Sequence, residues 1–333
     1  MWSWIKRFIL LALCMTLLVA AELAWFAFGA VSLRSDPADF SINPGSTLRS
    51  ATRQIVDSGV ELSTWRFNLL GRLLGRAGAI KAGSYEISRG TTPLALLSKL
   101  TSGEVTQDEV LLIERWNFRQ LRTALNAHSA VRHDSADWTD AEIMAKLGAA
   151  GRSPEGLFFP DTYLFGKGAS DLDILKRAYK AMQRQLDTGW QQRAPALPYR
   201  SAYEALIMAS VIEKETGQAG DRALIGGVFV NRLRLGMMLQ TDPSVIYGMG
   251  EQFDGNLRKK DLLRDTPHNT YTRAGLPPTP ISMPGQASLQ AALNPAKTTA
   301  LYFVARGDGS SEFSRTLAEH ERAVNKYQRR GGR

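Results

Sequence analysis

A glutamate at the end of a strongly apolar helix has the surroundings of an acid catalyst. Residues 205–212 are apolar on nearly every helical face, which predicts a buried helix over residues 202–216. Glu213 continues the column of Leu206 and Ala209, so its side chain should face the protein interior or a cleft. A carboxyl beside apolar walls is harder to ionise, and the resulting rise in pKa suits a general acid.

The same spacing also allows a structural interpretation. Glu213 could be the polar end of an ordinary helix, with Gly217 as the C-cap and a salt bridge for the carboxylate. Glu215 is a second candidate acid, because it continues the column of Met208 and Val211. Periodicity selects this helix end and leaves these alternatives open.

Three predicted loops carry side chains that suit a sugar polymer. They cover residues 155–163, 240–243 and 268–278, and Asp242 is placed to cap a short helix starting at Pro243. Aromatic rings can pack on the apolar faces of sugars, while amides, hydroxyls and carboxylates bind their rims. Each loop alone could be purely structural. The predicted substrate-binding residues are Glu155, Phe159, Asp161, Tyr163, Gln240, Thr241, Asp242, Asn269, Thr270 and Tyr271.

Other common chemistries lack their sequence signatures. The four histidines are scattered without HExxH or paired spacing, so no metal site is predicted. The sequence contains no P-loop, dinucleotide fingerprint or GxSxG elbow, and no cofactor is predicted. Cys14 is the only cysteine, which excludes an intramolecular disulfide.

The N-terminus predicts a membrane anchor. Residues 8–31 form an apolar stretch in which Glu22 is the only charge, long enough to cross a hydrocarbon core of about 30 Å. Lys6 and Arg7 precede it, which places residues 1–7 in the cytoplasm and the remainder outside, in the periplasm.

A cleaved signal peptide is the rival interpretation of this stretch. Residues 19–21 could serve as a small-residue cleavage site, but the apolar run continues ten residues beyond them. An exported chain has no access to nucleic acid. The net charge of +9 therefore favours an acidic polymer or anionic lipid as partner, or reflects a solvated basic surface.

The remaining chain predicts an α+β fold in two domains outside the membrane. At 333 residues, with 44% hydrophobic and 22% charged, it is long enough for two globular units. A linker over residues 32–40 should lead to a small α+β domain at 41–105. A larger, mainly helical α+β domain should follow at 106–333.

Local signals place elements within both domains. Residues 44–46 should open a helix, Tyr85 and Ile87 alternate as in a strand, and Thr92-Pro93 should begin another helix. A hairpin is predicted around residues 307–309. Helix starts in the larger domain are indicated by capping boxes at Thr139–Glu142, Ser201–Glu204 and Thr316–Glu319, with Ser170–Asp173 as a weaker example.

Several long motifs occur together and in order. They are EGLFFPDTY (155–163), MASVIEKET (208–216), NRLRLGMMLQTDPSVIYG (231–248), HNTYTRAGLPPTPISMPG (268–285) and the segment at 292–320. In these motifs the chain resembles the YceG-like family of endolytic murein transglycosylases. The resemblance also extends over the apolar span and the small domain.

The resemblance implies an enzyme of the inner membrane. It implies that Glu213 is the catalytic acid and that the small domain is a LysM-like, glycan-binding module. Departures from the family pattern occur at Thr279, at Met283 and at the Glu114-Arg115 pair, where glutamate-glycine is usual.

The expected reaction is lytic cleavage of the bond between N-acetylmuramic acid (MurNAc) and N-acetylglucosamine (GlcNAc) in peptidoglycan. It would leave 1,6-anhydro-MurNAc ends and end the elongation of nascent strands, near cell-wall synthases. One alternative is a hydrolytic muramidase, with Glu155, Asp161 or Asp242 as second carboxylate. Another is a non-catalytic glycan-binding scaffold for those synthases.

Overall fold

The computed structural model describes residues 2–329, and the chain divides into two compact units. The first unit runs to Asp108 and also takes in Leu164–Ala169. The second comprises Glu109–Tyr163 and the chain from Ser170 onward. The sequence predicted one domain boundary, between residues 105 and 106. The return of Leu164–Ala169 to the first unit was not predicted. The end of the predicted larger domain, residues 330–333, lies outside the described residues.

The N-terminal helix, α1, covers Trp2–Phe28. Among the described residues it is the one helix long and apolar enough to cross a membrane, over Trp4–Phe28. It ends three residues before the predicted end of the span at Val31. Val31 is instead buried in the first unit, where its N–H donates to the carbonyl oxygen of Thr91 at 2.9 Å.

The first unit is a small α+β unit. The predicted linker over residues 32–40 is wrong, because two strands begin within it. The elements after α1 are β1 Ser32–Leu33, β2 Ala38–Ile42, α2 Leu48–Asp57, β3 Val60–Glu61, α3 Thr64–Leu73, β4 Gly83–Ile87 and α4 Pro93–Ser102.

Antiparallel pairing and helix packing form the core of the first unit. Strand β1 pairs with β3, and β2 pairs with β4 with Phe40 opposite Tyr85. These two rings stack at 5.7 Å between centroids, and they lie in one apolar cluster with residues of α2, α3 and α4. The predicted start of α4 is confirmed, because Thr92 accepts the N–H of Ala95. Helix α2 is capped by Thr47, just after the predicted opening.

The second unit is mainly helical. Helices are joined by short strands, and a 3₁₀ turn at Gly250–Gln252 and a π-helical turn at Asn325–Arg329 follow α10 and α13. From the end of the first unit onward the elements are β5 Gln107–Leu111, α5 Phe118–Ala127, β6 Val131–Arg132, α6 Asp140–Lys146, β7 Thr162–Gly166, β8 Ala169–Ser170, α7 Asp171–Gln191, α8 Ala202–Glu215, α9 Ala219–Arg234, α10 Asp242–Met249, α11 Lys259–Leu263, α12 Gln286–Leu293, β9 Tyr302–Ala305, β10 Ser311–Ser314 and α13 Leu317–Val324.

Helix α8 is the centre of the second unit. Its nine residues from Ala205 to Glu213 are all buried, which confirms the all-round apolar pattern. It packs against α12, α9 and α7. The close approach of α9 to its neighbours requires glycine, since a Cβ on Gly226 would lie 2.5 Å from the carbonyl oxygen of Ala291.

Most of the predicted caps and the hairpin are confirmed. Thr139 and Thr316 form reciprocal capping boxes with Glu142 and Glu319, and β9 pairs antiparallel with β10. Ser201 accepts the N–H of Glu204, but the Glu204 carboxylate accepts from Arg200 instead of closing the box.

The predicted cap at Asp242 is wrong. Helix α10 begins at Asp242 itself, and Thr241 is its N-cap. The physical reason is that the Asp242 carboxylate accepts the Tyr271 hydroxyl, and Pro243, with no N–H to donate, fits the second position of the first turn as well as the first. Asp242 therefore lies inside the helix, with its carboxylate available for other contacts.

Candidate active site

The end of α8 presents three consecutive polar side chains in three directions. Successive helical residues are rotated by about 100°, so Glu213, Lys214 and Glu215 cannot share one environment. The helix ends at Glu215 with Thr216 as C-cap, in extended conformation. Gly217, the predicted C-cap, lies beyond it.

Glu213 is a buried carboxyl whose two oxygens make different contacts. Its exposed fraction is 1%, and Oε2 accepts the backbone N–H of Gly285 at 3.0 Å. Oε1 lies 3.7 Å from an Nη atom of Arg222 and accepts no hydrogen bond from the described residues. One oxygen is thus fixed, while the other is left to a proton or an external partner.

The loop that carries Gly285 is fixed along α8 by hydrogen bonds. Ser210 Oγ accepts the N–H of Ile281 at 3.0 Å, and Ser282 Oγ donates to the carbonyl oxygen of Ser210 at 3.1 Å. All three residues are buried, so these bonds are shielded from water. Gly285 is the N-cap of α12, which places the partial positive end of that helix beside Glu213.

A second carboxyl, Glu114, converges on the same glycine. Met283 donates its N–H to the Trp116 carbonyl at 2.7 Å and accepts the N–H of Arg115 at 3.0 Å, which holds the two segments side by side. A Cβ on Gly285 would overlap Glu114 Oε1, so only glycine admits this carboxyl here. Burial raises the pKa of Glu114, and the charge of Glu213 raises it further.

Arg115 ties this segment to the helix end from the other side. Its Nη2 donates to the carbonyl oxygen of Lys214 at 3.0 Å, which satisfies one carbonyl of the last turn. Its φ is 71°, in the left-handed region that favours glycine. Arg115 stands where the sequence motif was expected to have glycine. Its long side chain reaches the Lys214 carbonyl, a contact that glycine could not make.

One cavity, of about 570 Å³, opens beside Lys214 and Glu155. Glu155 is 5% exposed and accepts the Phe118 N–H at 3.2 Å and the Tyr247 hydroxyl at 3.1 Å. Burial raises its pKa to about 7, despite these two hydrogen bonds. His268 also lines the cavity and packs edge-on against Tyr247, with 4.9 Å between ring centroids.

A second cavity, of about 590 Å³, opens beside Glu215. Burial raises the pKa of Glu215 to about 7. Gln240, Asp242 and Tyr271 line this cavity, and the Tyr271 hydroxyl donates to Asp242 Oδ1 at 2.5 Å. This cavity therefore brings together three of the predicted substrate-binding residues.

Some of the other predicted site residues make internal hydrogen bonds. The Asn269 amide donates to the carbonyl oxygens of Leu262 and Arg264, and its Oδ1 accepts the Tyr271 N–H. Thr270 Oγ1 accepts the N–H of Thr241. The hydrogen bonds of Asn269, Thr270 and Thr241 thus hold in place the loops that line the second cavity.

The segment at 155–163 is divided between roles. Glu155 lines the first cavity, whereas Tyr163 donates its hydroxyl to the carbonyl oxygen of Phe159 at 2.8 Å. Asp161 is exposed, and its carbonyl oxygen accepts the N–H of Leu112. Neither cavity is lined by Phe159, Asp161 or Tyr163.

Four residues near these carboxyls were not predicted from sequence. They are Glu114, Arg222, Tyr247 and Gly285. Glu114 lies in a turn three residues after β5 ends, and such a position is only a weak signal for a site. For Tyr247 the sequence offers no local signal, because only the fold brings it to Glu155, 92 residues away in the chain. Arg222 meets Glu213 across the short connection between α8 and α9.

Comparison with known proteins relates most of the chain to one family. The profile of the YceG-like family matches residues 40–326. A Bacillus subtilis (strain 168) protein named endolytic murein transglycosylase is 32% identical over 307 residues, covering 87% of this chain and 84% of that protein. A Streptococcus pneumoniae (serotype 2, strain D39) protein of the same name is 30% identical over 186 residues, covering 52% of this chain and 32% of that protein.

A solved structure extends the similarity to the fold. The crystal structure of a YceG-like protein from Listeria monocytogenes has a TM-score of 0.54 and 30% identity, and covers 86% of this chain and 99% of that one. The family profile, over residues 40–326, takes in most of the small unit and the segments that form the carboxyl site. This chain belongs to the YceG-like family.

Proposed function

We propose that this protein is an endolytic peptidoglycan lytic transglycosylase with Glu213 as its acid and base. The observation that carries the proposal is the asymmetric carboxyl of Glu213, with Oε2 held by Gly285 and Oε1 without a hydrogen-bond donor. Relatives named endolytic murein transglycosylase give the substrate class. A single protein carboxyl suffices when the attacking hydroxyl belongs to the substrate.

The mechanism follows from the two states of this carboxyl. Protonated at Oε1, Glu213 donates its proton to the oxygen that links MurNAc to GlcNAc, and the C–O bond breaks with oxocarbenium character. The Glu213 carboxylate then accepts the proton of the MurNAc 6-hydroxyl as that oxygen bonds to the anomeric carbon. The products are a 1,6-anhydro-MurNAc end and a free GlcNAc hydroxyl, and no water is consumed.

Neighbouring groups stabilise the ionised intermediate. The Gly285 N–H and the N-terminus of α12 favour negative charge on Glu213 after the proton has left. Arg222, 3.7 Å from Oε1, does the same from the other side. The Gly285 hydrogen bond would thus hold the Glu213 carboxyl in place both before and after it gives up its proton.

The two cavities are the proposed glycan subsites. They open on different sides of the helix end, one beside Lys214 and the other beside Glu215. Both combine aromatic rings with hydrogen-bonding side chains, the pattern expected for binding sugar faces and rims. An endolytic enzyme needs such space on both sides of the bond it cuts.

The proposed location is the outer face of the inner membrane. Helix α1 would be a single-pass anchor with the catalytic unit in the periplasm. The small unit would act as the LysM-like, glycan-binding module. This arrangement suits cleavage of nascent strands beside cell-wall synthases, which would end elongation.

Hydrolysis is the second candidate function, favoured by Glu114. A muramidase needs a second carboxylate to activate water, and Glu114 converges with Glu213 on Gly285. Glu114 is also exposed, so water can reach it. Of the partner carboxylates predicted from sequence, Glu155 and Asp242 make their hydrogen bonds elsewhere, and Asp161 is exposed and lines neither cavity.

Product analysis separates the two reactions. Purified glycan strands would be incubated with the full chain in detergent, and the new ends identified by mass spectrometry. Lytic cleavage adds no water, so its anhydro ends are lighter than reducing MurNAc ends by the mass of one water, about 18 mass units. Reducing ends alone would establish hydrolysis. Binding without new ends of either kind would favour the non-catalytic scaffold.

A further inference from the structure

An apolar groove lies within the first unit, between the C-terminal half of α1 and helix α3. Its volume is about 460 Å³, and aliphatic side chains form nearly all of its lining. One wall includes Val19, Leu23 and Phe28 of α1. The opposite wall includes Leu69, Leu73 and Leu74, from α3 and the turn after it. The groove therefore continues the apolar surface of the proposed membrane span onto the small unit.

Large apolar side chains of α3 remain exposed beside this groove. Leu73 and Trp65 are 66% and 62% exposed, and Leu74 is also exposed. Trp25 and Phe28 of α1 are exposed at the same end of the span. A continuous apolar surface of this kind is uncommon on a face that meets only water. Tryptophan is enriched where a membrane meets water.

An ion pair holds α3 against α1. Arg66 lies 2.6 Å from Glu22, the one carboxylate within the span, and its guanidinium stacks 5.8 Å from the centre of the Phe26 ring. Glu22 is six residues before Phe28, or about 9 Å along the helix at about 1.5 Å per residue. Helix α3 thus runs beside the last turns of the span, and Arg66 compensates the charge that the span carries.

We propose that α3 is embedded in the outer boundary of the bilayer, with lipid acyl chains filling the groove. Leu73, Leu74 and Trp65 would lie among the acyl chains. Arg72 and Arg76, both exposed, flank the two leucines and would reach anionic headgroups. The occupant is inferred to be lipid because the groove is continuous with the lipid-facing surface of α1.

The consequence for the protein is a fixed orientation at the membrane. A single helix leaves the attached unit free to pivot, whereas a second apolar contact beside it restrains the small unit at the bilayer surface. This inference rests on the proposed membrane anchor and does not depend on the cleavage chemistry.

A fluorescence experiment on the full chain in phospholipid nanodiscs tests the proposal. An environment-sensitive nitrobenzoxadiazole dye would be attached to the natural Cys14, to position 73 in the double variant Cys14→Ser/Leu73→Cys, or to position 53 in Cys14→Ser/Arg53→Cys. Cys14 reports on the anchor, Leu73 on α3, and Arg53, on the outer face of α2, is the water-exposed control. Leu73 is exposed, so its replacement removes little packing.

Quenchers placed in the lipid or in water would then be compared. Dyes at positions 14 and 73 should be quenched about threefold more by lipid-attached nitroxides than by aqueous iodide, and the dye at 53 should show the reverse. Lipid quenching at 14 with iodide quenching at 73 would overturn the α3 proposal alone. Iodide quenching at 14 would overturn the anchor and α3 together. Protection of position 73 from both quenchers would assign the groove to protein and also overturn it.

Discussion

Gly285 donates its backbone N–H to Oε2 of Glu213 at 3.0 Å, across 72 residues of sequence. The glycine is also where Glu114 makes its approach, since a Cβ would overlap Glu114 Oε1. One backbone position thus fixes the proposed acid and admits a second carboxyl. The first two predictions follow from this arrangement.

The first prediction concerns a methyl group added at this position. Gly285→Ala should lower glycan cleavage about tenfold, because the new carbon overlaps Glu114 and displaces the N–H that holds Glu213. In a Glu114→Ala background the same change should cost less than about threefold, since the overlap is gone. Cleavage rates of the four proteins form the cycle. Equal losses in both backgrounds would contradict the steric explanation.

The second prediction separates Glu114 from the proton transfer. Glu114→Gln keeps the side-chain volume and removes the charge, so lytic cleavage should continue within about tenfold and still give anhydro ends. Mass spectrometry of the products measures both the rate and the kind of end. Complete loss of cleavage, with reducing ends as the wild-type product, would instead assign Glu114 to water activation.

The third prediction concerns pH and stability. Burial raises the pKa of Glu155 from 4.5 to about 7, so between these values the folded chain holds a proton that the unfolded chain has lost. The contribution of Glu155 to the free energy of unfolding therefore falls as pH rises from about 4.5 to 7, by up to about 3 kcal/mol in total. Above pH 7 that contribution stays at its low level.

The variant Glu155→Gln removes this titration. Its thermal stability relative to wild type should improve as pH rises from about 4.5 to about 7 and then level off. Thermal unfolding at several pH values measures the difference. Asp187, an exposed carboxylate on α7, supplies the matched control Asp187→Asn, whose difference from wild type should stay nearly constant. A constant difference for Glu155→Gln as well would show that this carboxyl is not kept protonated.

The fourth prediction concerns the packing behind the site. Gly226→Ala should lower stability by about 1–3 kcal/mol, because its Cβ would lie 2.5 Å from the Ala291 carbonyl oxygen on α12. Gly220→Ala, in the same helix with open space at its Cβ, should be neutral or slightly stabilising. Thermal unfolding compares the two. Equal stability of both variants would contradict the tight contact between α9 and α12.

Local patterns predicted the helices and the hairpin better than the contacts between distant elements. The buried helix α8, the capping boxes at Thr139 and Thr316, and the hairpin depend on short-range spacing, and the structure confirms them. The strands in the predicted linker were missed because β1 and β2 are short and pair with strands far along the chain. Pairing partners of that kind leave no local signal.

The site shows the same limit. Spacing alone indicated that Glu213 faces inward, and its exposed fraction of 1% agrees. It could not choose between Glu213 and Glu215, nor show that Glu155 and Glu215 line separate cavities. Glu114 reaches Gly285 only because residues 115–116 pair with Met283. That contact spans more than 160 residues and is a property of the tertiary structure.

The central claim is that Glu213 carries the proton transfer, and its neighbour offers a matched control. Glu213→Gln and Glu215→Gln each neutralise one carboxyl on the last turn of α8 with little change in its size. Thermal unfolding would first establish that each variant is as stable as the wild type. Glycan strands would then be incubated with each protein, and the anhydro-MurNAc ends counted by mass spectrometry. Glu213→Gln should lower their rate of formation by at least about a hundredfold, while Glu215→Gln should keep it within about tenfold. Continued formation of anhydro ends by Glu213→Gln, or their loss in Glu215→Gln alone, would contradict the assignment.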